Sequence, residues 1–456
     1  MTRDRDIAAL HHAEKELSFG GTVLVLDDGA VVTAEDRAMI QALHSRNPKG
    51  VKEHLKILTE KGSGKMMSSF YVGYGHKSIG DCGFVSIFVE GVSMLAAKAI
   101  QHSPLYNGQE CSTRYIDFTN QPFFNPVTQN YDSHPVTEKF RGFYLTSLPV
   151  IVEHLQSVYP KHPDEDEKIY LKAINARAFD ILRGFLPTGA TTNVAWTTTL
   201  RHVADHLMYL RHHPLAEVRE IAEKVQDALL EMYPSSFGHK RYDDTERFNR
   251  AFMQGARGYY FEPKEKWPEN VKFAHNGVSK KLLAGYLPLL KSRKARTEVP
   301  KAVGVAGNAV VSFLLDFGSW RDLQRHRSVV QLMPRLTTKF GFEPWYLDNL
   351  PKDVRAQAQE LLAVFEKGIK KIKPDERQYL IPMGYKVPVL LSGDLSALTY
   401  IAEIRSASTV HATLQKKAVQ LAELLSKTFG YKVFFDKKDV GRFDSKRGKH
   451  DIVEKK

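Results

Sequence analysis

The sequence predicts an α+β protein made of two tandem copies of one fold, paired within the chain as a pseudo-dimer. Two repeated blocks predict it. Segments 84–93, FVSIFVEGVS, and 310–319, VVSFLLDFGS, each read as a period-two apolar strand, an acidic residue, a glycine-containing turn and a serine placed to cap a helix. Ser86, Glu90 and Ser93 match Ser312, Asp316 and Ser319 at a constant spacing of 226 residues. Further on, FLPTG at 185–189 and LIPMG at 380–384 each precede a long amphipathic helix, near 197–211 and 392–407, at a spacing of 195. Matched blocks in the same order are the mark of duplication, and two copies in one chain can pair as the subunits of a symmetric dimer do.

On this reading residues 1–240 form the first copy, 241–435 the second, and 436–456 a frayed basic tail. The first copy carries the longer middle, a Pro- and Asn-rich loop at 118–135, FTNQPFFNPVTQNYDSHP. The joint falls near 236–270, where the helical pattern breaks.

Composition bounds the function. The chain has 456 residues, 43% hydrophobic and 11% aromatic, which is enough for two or three cored domains. No run of about 18 apolar residues occurs and the first residues lack the apolar core of a signal peptide, so neither a membrane span nor export is expected. Cys82 and Cys111 are the only cysteines, without a CxxC pair, which argues against a disulfide framework and fits a reducing cytoplasm. Cys111 reads as a small buried hydrophobe. His206, His212 and His213 lack an acidic or thiol partner in the sequence, so no metal site is expected, and Glu217 and Arg219 read as helix-surface contacts. The net charge of +13 suits an anionic partner. With no stacking motif beside it, that partner reads as a phosphorylated small molecule and not nucleic acid.

The most informative short stretch is LQRHRSVVQLMPRL at 323–336. With Ser319 as N-cap and Asp322 as its capping-box carboxylate, a helix would carry Trp320, Leu323 and Arg327 on one stripe. Arg325 would lie roughly 160–200° away and His326 to one side. A solvated face would cluster these charges; this arrangement suits an anion-lined crevice. An ion pair to Asp316 or Asp322 is the plainer alternative.

The run GHKSIGDCGFVSIFVEGVSMLAAKAIQHSPLYNGQECSTRY in the first copy and the RHR triplet in the second resemble the flavin-dependent thymidylate synthases, whose signature reads RHRxxSxNxxSxR. The resemblance covers most of 70–235 and, more faintly, 305–425. It implies an enzyme that methylates deoxyuridylate with methylenetetrahydrofolate and reduced FAD, with NADPH restoring the flavin. It implies FAD contacts at Ser78, Asp81 and Arg201, joined by Arg325, His326 and Arg327. Deoxyuridylate would be held by Glu110, Ser112, Arg114 and Arg183, with Ser112 and Arg114 at the reacting ring and Arg405 at the nucleotide.

Both copies depart from the family pattern. The first reads Gln101, His102 and Ser103 at the RHR position; the second keeps RHR but has Gln378 for Arg183 and Ser396 for Arg201. Arg405 stands where the first copy has Leu210. The losses are complementary, so one composite site across the copies is expected, in a homodimer of two-copy chains. A non-catalytic flavin- or nucleotide-binding homologue and a basic nucleic-acid-associated protein are the alternatives.

Overall fold

A computed structural model describes residues 11–27, 29, 31–113, 116, 118–255, 258–436, 440–443 and 445. Arg114 and residues 446–456 lie outside them. Contacts gather the chain into two compact units interleaved in sequence. The first holds the described residues of 1–112, 124–132 and 190–259; the second holds those of 113–123, 133–189 and 260–456.

The first unit is built on a five-stranded antiparallel sheet in the order His12–Glu16, Thr22–Leu26, Phe84–Ser93, Thr191–Thr199, Asn107–Glu110. Alternation drives it: Val23 and Val25, then Val85, Ile87 and Val89, point into the core. The helix Ala216–Met232 covers the sheet with Val218, Ile221, Val225 and Leu229. Gly21 sits at φ +92°, and a Cβ there would stand 2.5 Å from the Glu90 carbonyl oxygen, so the approach of the first hairpin to the central strand requires glycine.

The second unit centres on a four-stranded antiparallel sheet in the order Val330–Gln331, Lys386–Asp394, Asn308–Asp316, Lys272–Asn276. The helix Ala412–Phe429 packs on it, and a helical hairpin, Pro135–Val158 and Glu167–Leu182, belongs to the same unit.

Three consecutive elements recur in the same order at one spacing. Arg183–Phe185, Thr191–Thr199 and Leu200–Leu210 match Gln378–Leu380, Lys386–Asp394 and Leu395–Arg405 at the spacing of 195. The spacing of 226 for the other strand needs correction. Ser93 pairs with Thr191 as Asp316 pairs with Lys386, so Asp316, and not Ser319, stands in for Ser93. Each caps the helix that follows: Ser93 accepts from the Ala96 N–H and Asp316 from the Ser319 N–H. At the far end of the strands, Phe84 pairs with Thr199 and Asn308 with Asp394, a spacing of 224. The one-residue difference is a bulge between Val89 and Val92. Along Phe84–Val89 the slip is two residues, which keeps those side chains on their faces, and so the wrong register still matched in pattern.

Within the second unit the two matched turns bond to each other reciprocally. The Thr188 N–H donates to the Ile381 oxygen (3.1 Å) and Met383 N–H to Leu186 (2.9 Å); Gly189 N–H donates to Tyr379 (2.7 Å) and Gly384 N–H to Gly184 (2.7 Å). Each bond has its counterpart 195 residues on, the pattern of a local two-fold axis.

Three other expectations are revised. The joint contains a helix, Asp243–Gln254, opened by Asp243, Asp244 and Glu246 and tied down by Glu246 to Arg211 and His212. The 118–135 loop holds a small hairpin, Phe124–Asn125 with Asn130–Tyr131. The tail is not frayed where described: Phe443 stacks on Tyr159 at 4.6 Å.

Candidate functional site

The helix carrying the RHR triplet is shorter than the pattern suggested. It runs Phe317–Leu323, and Arg325, His326 and Arg327 fall in the turn beyond its end. Trp320 and Leu323 are buried as expected, but Arg327 does not continue their stripe, and Asp322 lies at the end of the helix and is no capping-box residue. Asp316 terminates the helix N-terminally because its carboxylate satisfies the Ser319 amide at 2.8 Å.

This turn faces a cluster of arginines in the second unit. Arg183, at the end of helix Glu167–Leu182, donates to the Ser319 hydroxyl (3.4 Å) and lies 3.9 Å from Asp322. Arg405, the last residue of its helix, donates from Nε to His326 Nε2 (2.7 Å) and from its terminal nitrogen to the Asp322 carbonyl (2.8 Å). Burial, then the neighbouring Arg405 charge, lowers the His326 pKa to about 3, so at neutral pH the ring is uncharged and accepts from Arg405. Burial pushes the Asp322 carboxyl up, but Arg183, Arg325, Arg405 and Arg321 outweigh it and hold the group below its usual value. Burial likewise opposes charge on Arg183; Tyr346, Asp180, Asp322 and Asp316 more than offset it, and the guanidinium stays ionised.

Arg183 Nε and Asp316 Oδ1 are buried here without a hydrogen-bond partner. The other Asp316 oxygen is taken by Ser319 and by the Tyr346 hydroxyl at 2.7 Å. Arg325 is exposed and makes no ion pair among the described residues. Among the described residues four guanidiniums, those of Arg183, Arg325, Arg405 and Arg321, act on the Asp322 carboxylate. Such a cluster can receive an anion.

The first unit gathers a different set. Ser78 and Asp81 lie on the 3₁₀ turn Lys77–Cys82, opposite Arg201 on helix Leu200–Leu210. Arg201 pairs with Asp81 (3.0 Å) and reaches towards Asp205 (3.8 Å); His202 lies 3.4 Å from Asp81, and Lys77 pairs with Asp205 (2.9 Å). These charges largely cancel one another. Glu110 is committed elsewhere: its carboxylate meets Lys98 at 2.5 Å, both side chains almost fully buried, with Gln101 bridging them. Ser112 follows the strand Asn107–Glu110.

The Lys98–Glu110 pair yields a test of what Glu110 does. Lys98→Met should destabilise the fold by about 3–5 kcal/mol, because it strands a buried carboxylate. Lys98→Met with Glu110→Leu should recover most of that in urea midpoint. A single variant as stable as the wild type would free Glu110 for ligand.

The fold gathers Arg183, Arg325, His326, Arg327 and Arg405 in one unit; Glu110, Ser112, Ser78, Asp81 and Arg201 lie in the other. Sequence reasoning missed Tyr346, Arg321 and the capping role of Asp316. Glu217 is no surface contact: it is fully buried, accepting from the Ser93 N–H (2.7 Å), the Ser93 hydroxyl (2.6 Å) and the Tyr131 hydroxyl (2.6 Å). Among the described residues no group of three or more His, Cys, Asp or Glu is placed to hold a metal ion, and no helix is long and apolar enough to cross a membrane.

Residues 30–235 match the profile of a family described as thymidylate synthase complementing protein, the flavin-dependent family that the motifs resemble. Beyond that region the similarity is to whole proteins. The chain is 26% identical over 430 residues to a UPF0159 protein of Chlamydia muridarum, covering 81% of each chain. It is 24% identical over 427 residues to one of Chlamydia pneumoniae, covering 81% and 80%. A UPF0159 protein of Thermoplasma acidophilum is 23% identical over 472 residues, covering 87% and 92%.

Proposed function

We propose that the protein is an FAD-dependent thymidylate synthase-like enzyme that methylates deoxyuridylate, and that its two copies act as an intramolecular pseudo-dimer with one composite site. The observation that carries this reading is the arginine cluster. Arg183, which the resemblance assigns to deoxyuridylate, lies in the same unit as Arg325, His326 and Arg405 and is coupled with them through Asp322. The four guanidiniums gathered at Asp322 and the open Nε of Arg183 fit a phosphorylated ligand. The reciprocal bonds between the turns at 184–189 and 379–384 support the pairing of copies.

When bound, reduced FAD supplies a hydride and methylenetetrahydrofolate the one-carbon unit, with NADPH as reductant. The chain's own residues hold and orient. Arg183 and Arg405 fix phosphate, and Asp322 keeps their guanidiniums aimed. Neutral His326 holds Arg405 in place, and Arg325 offers a free fork to either ligand. Ser112 and Arg114 would contact the pyrimidine, and Ser78, Asp81 and Arg201 the flavin; at Asp81 and Arg201 an existing ion pair must open first. A cytoplasmic homodimer of two-copy chains completes the proposal.

The purified protein should be yellow and release FAD on denaturation, at about one flavin or fewer per chain. With deoxyuridylate, methylenetetrahydrofolate and NADPH it should form thymidylate. A colourless protein that takes up no FAD but binds deoxyuridylate would leave a non-catalytic homologue. One that takes up neither would sink the proposal.

A further inference from the structure

Away from this cluster the second unit has another basic pocket. It is lined by Arg177, Ser408, Val410, Gly441, Arg442 and Phe443, and its empty volume is about 340 Å³ with the mouth included. Arg177 lies in it and is only 8% exposed. Its terminal nitrogen donates to the neutral Asn349 amide oxygen (3.2 Å) and its guanidinium rests over the Trp345 ring at 4.9 Å. It makes no ion pair among the described residues, and its buried Nε has no hydrogen-bond partner. Burial lowers its pKa, and Tyr159 and Asp180 offset this only in part. A buried guanidinium whose desolvation is offset only in part is costly to keep, and an anion at the pocket would relieve it.

The far wall comes from the chain's last described residues. Gly441 donates its N–H to the Gln415 side chain at 2.9 Å, and Phe443 stacks on Tyr159 with the rings 18° apart. Between these anchors Arg442 is held at the pocket, its side chain exposed. Two arginines and Ser408 therefore line one small cavity, with no carboxylate among its described lining residues.

We propose that this pocket binds a phosphoryl group, either inorganic phosphate or the head of a small phosphomonoester, between Arg177 and Arg442. A dianion matches two guanidiniums in charge, and each planar fork can donate paired hydrogen bonds to its oxygens. The cavity is small, which suits a single phosphoryl group better than a dinucleotide. The site is independent of the flavin reading and shares no residue with the Arg183 cluster.

The test uses the full chain without flavin or nucleotide. Its thermal midpoint is followed against inorganic phosphate and, separately, glycerol phosphate, for the wild type and for Arg442→Ala, Arg177→Gln and Arg325→Ala. A saturable rise is expected in the wild type, weakened at least about tenfold by Arg442→Ala and retained in Arg325→Ala. Tighter binding of glycerol phosphate identifies a phosphomonoester as the ligand; tighter inorganic phosphate identifies the free ion. Arg442 is exposed, so its variant remains informative if Arg177→Gln fails to fold. No saturable rise, an unchanged response in Arg442→Ala, or loss of the response in Arg325→Ala would each overturn the proposal.

Discussion

Arg325→Ala should cost about 2–4 kcal/mol of transition-state stabilisation, on the order of 30- to 1,000-fold in kcat/KM for deoxyuridylate. Its unfolding midpoint should stay within about 0.5 kcal/mol of the wild type. The two effects separate because Arg325 is exposed and forms no ion pair, so its absence leaves no buried charge behind. Arg183→Ala should behave differently. Its side chain is 13% exposed and lies among Asp322, Asp316 and Asp180, all of which help keep it charged. Removing it should destabilise the second unit by about 3–5 kcal/mol and abolish nucleotide binding together. An Arg325→Ala enzyme with unchanged kcat/KM would remove the RHR turn from the site, whatever Arg183 does.

Acid should unfold the protein well above the carboxylate range. Burial, reinforced by His206, lowers His102 to about 4; burial lowers His206 to about 4 and, with Arg405, His326 to about 3. An unfolded histidine takes up its proton near 6.5. Between 6.5 and the folded values the unfolded chain therefore binds more protons, and stability falls as pH falls through that window. From pH 6.5 to 5 each such histidine removes about 2 kcal/mol. The His206 ring lies 3.0 Å from the Ile100 carbonyl oxygen, so His206→Gln can keep a donor there while deleting the titration. That variant should show a shallower loss of urea midpoint between pH 7.5 and 5. A wild-type midpoint that is flat over this range would contradict the burial argument.

The strands in 84–93 and 310–319 and the recurring spacings were legible because alternation and a fixed spacing are properties of the chain alone. Thr191–Thr199 and Lys386–Asp394 were not read as strands; only the turns ahead of them and the helices after them were. The register of the other strand was not legible. A bulge and an exchange of serine for aspartate at the cap leave the period-two pattern unchanged, so the sequence offers no signal to reject a two-residue slip. The helix ahead of the RHR turn was read too long for a related reason: nothing in QRHRS forbids helix, and its end is set by tertiary contacts, such as the Gln331 side chain donating to the Leu323 and His326 carbonyls. The arginines of the site were legible by type; their partners were not. Tyr346 and Asp316 meet across 30 residues, and Arg183 meets Ser319 across 136. Glu217 looked like surface because glutamate in a helix usually is, and only the fold brings three donors to it.

The reciprocal hydrogen bonds between the turns at 184–189 and 379–384 have a kinetic and evolutionary consequence. In a dimer of separate chains such a joint dissolves on dilution, and every substitution enters both halves at once. Here both turns belong to one polypeptide, so their union is unimolecular and insensitive to protein concentration. A change on one side also need not be copied on the other. Positions 183 and 378 hold arginine and glutamine at equivalent places beside that joint, the guanidinium serving one face and the amide, which accepts the Leu336 N–H at 3.0 Å, serving the other. Within one polypeptide the turn at 183 is free to carry charge while the turn at 378 holds the chain.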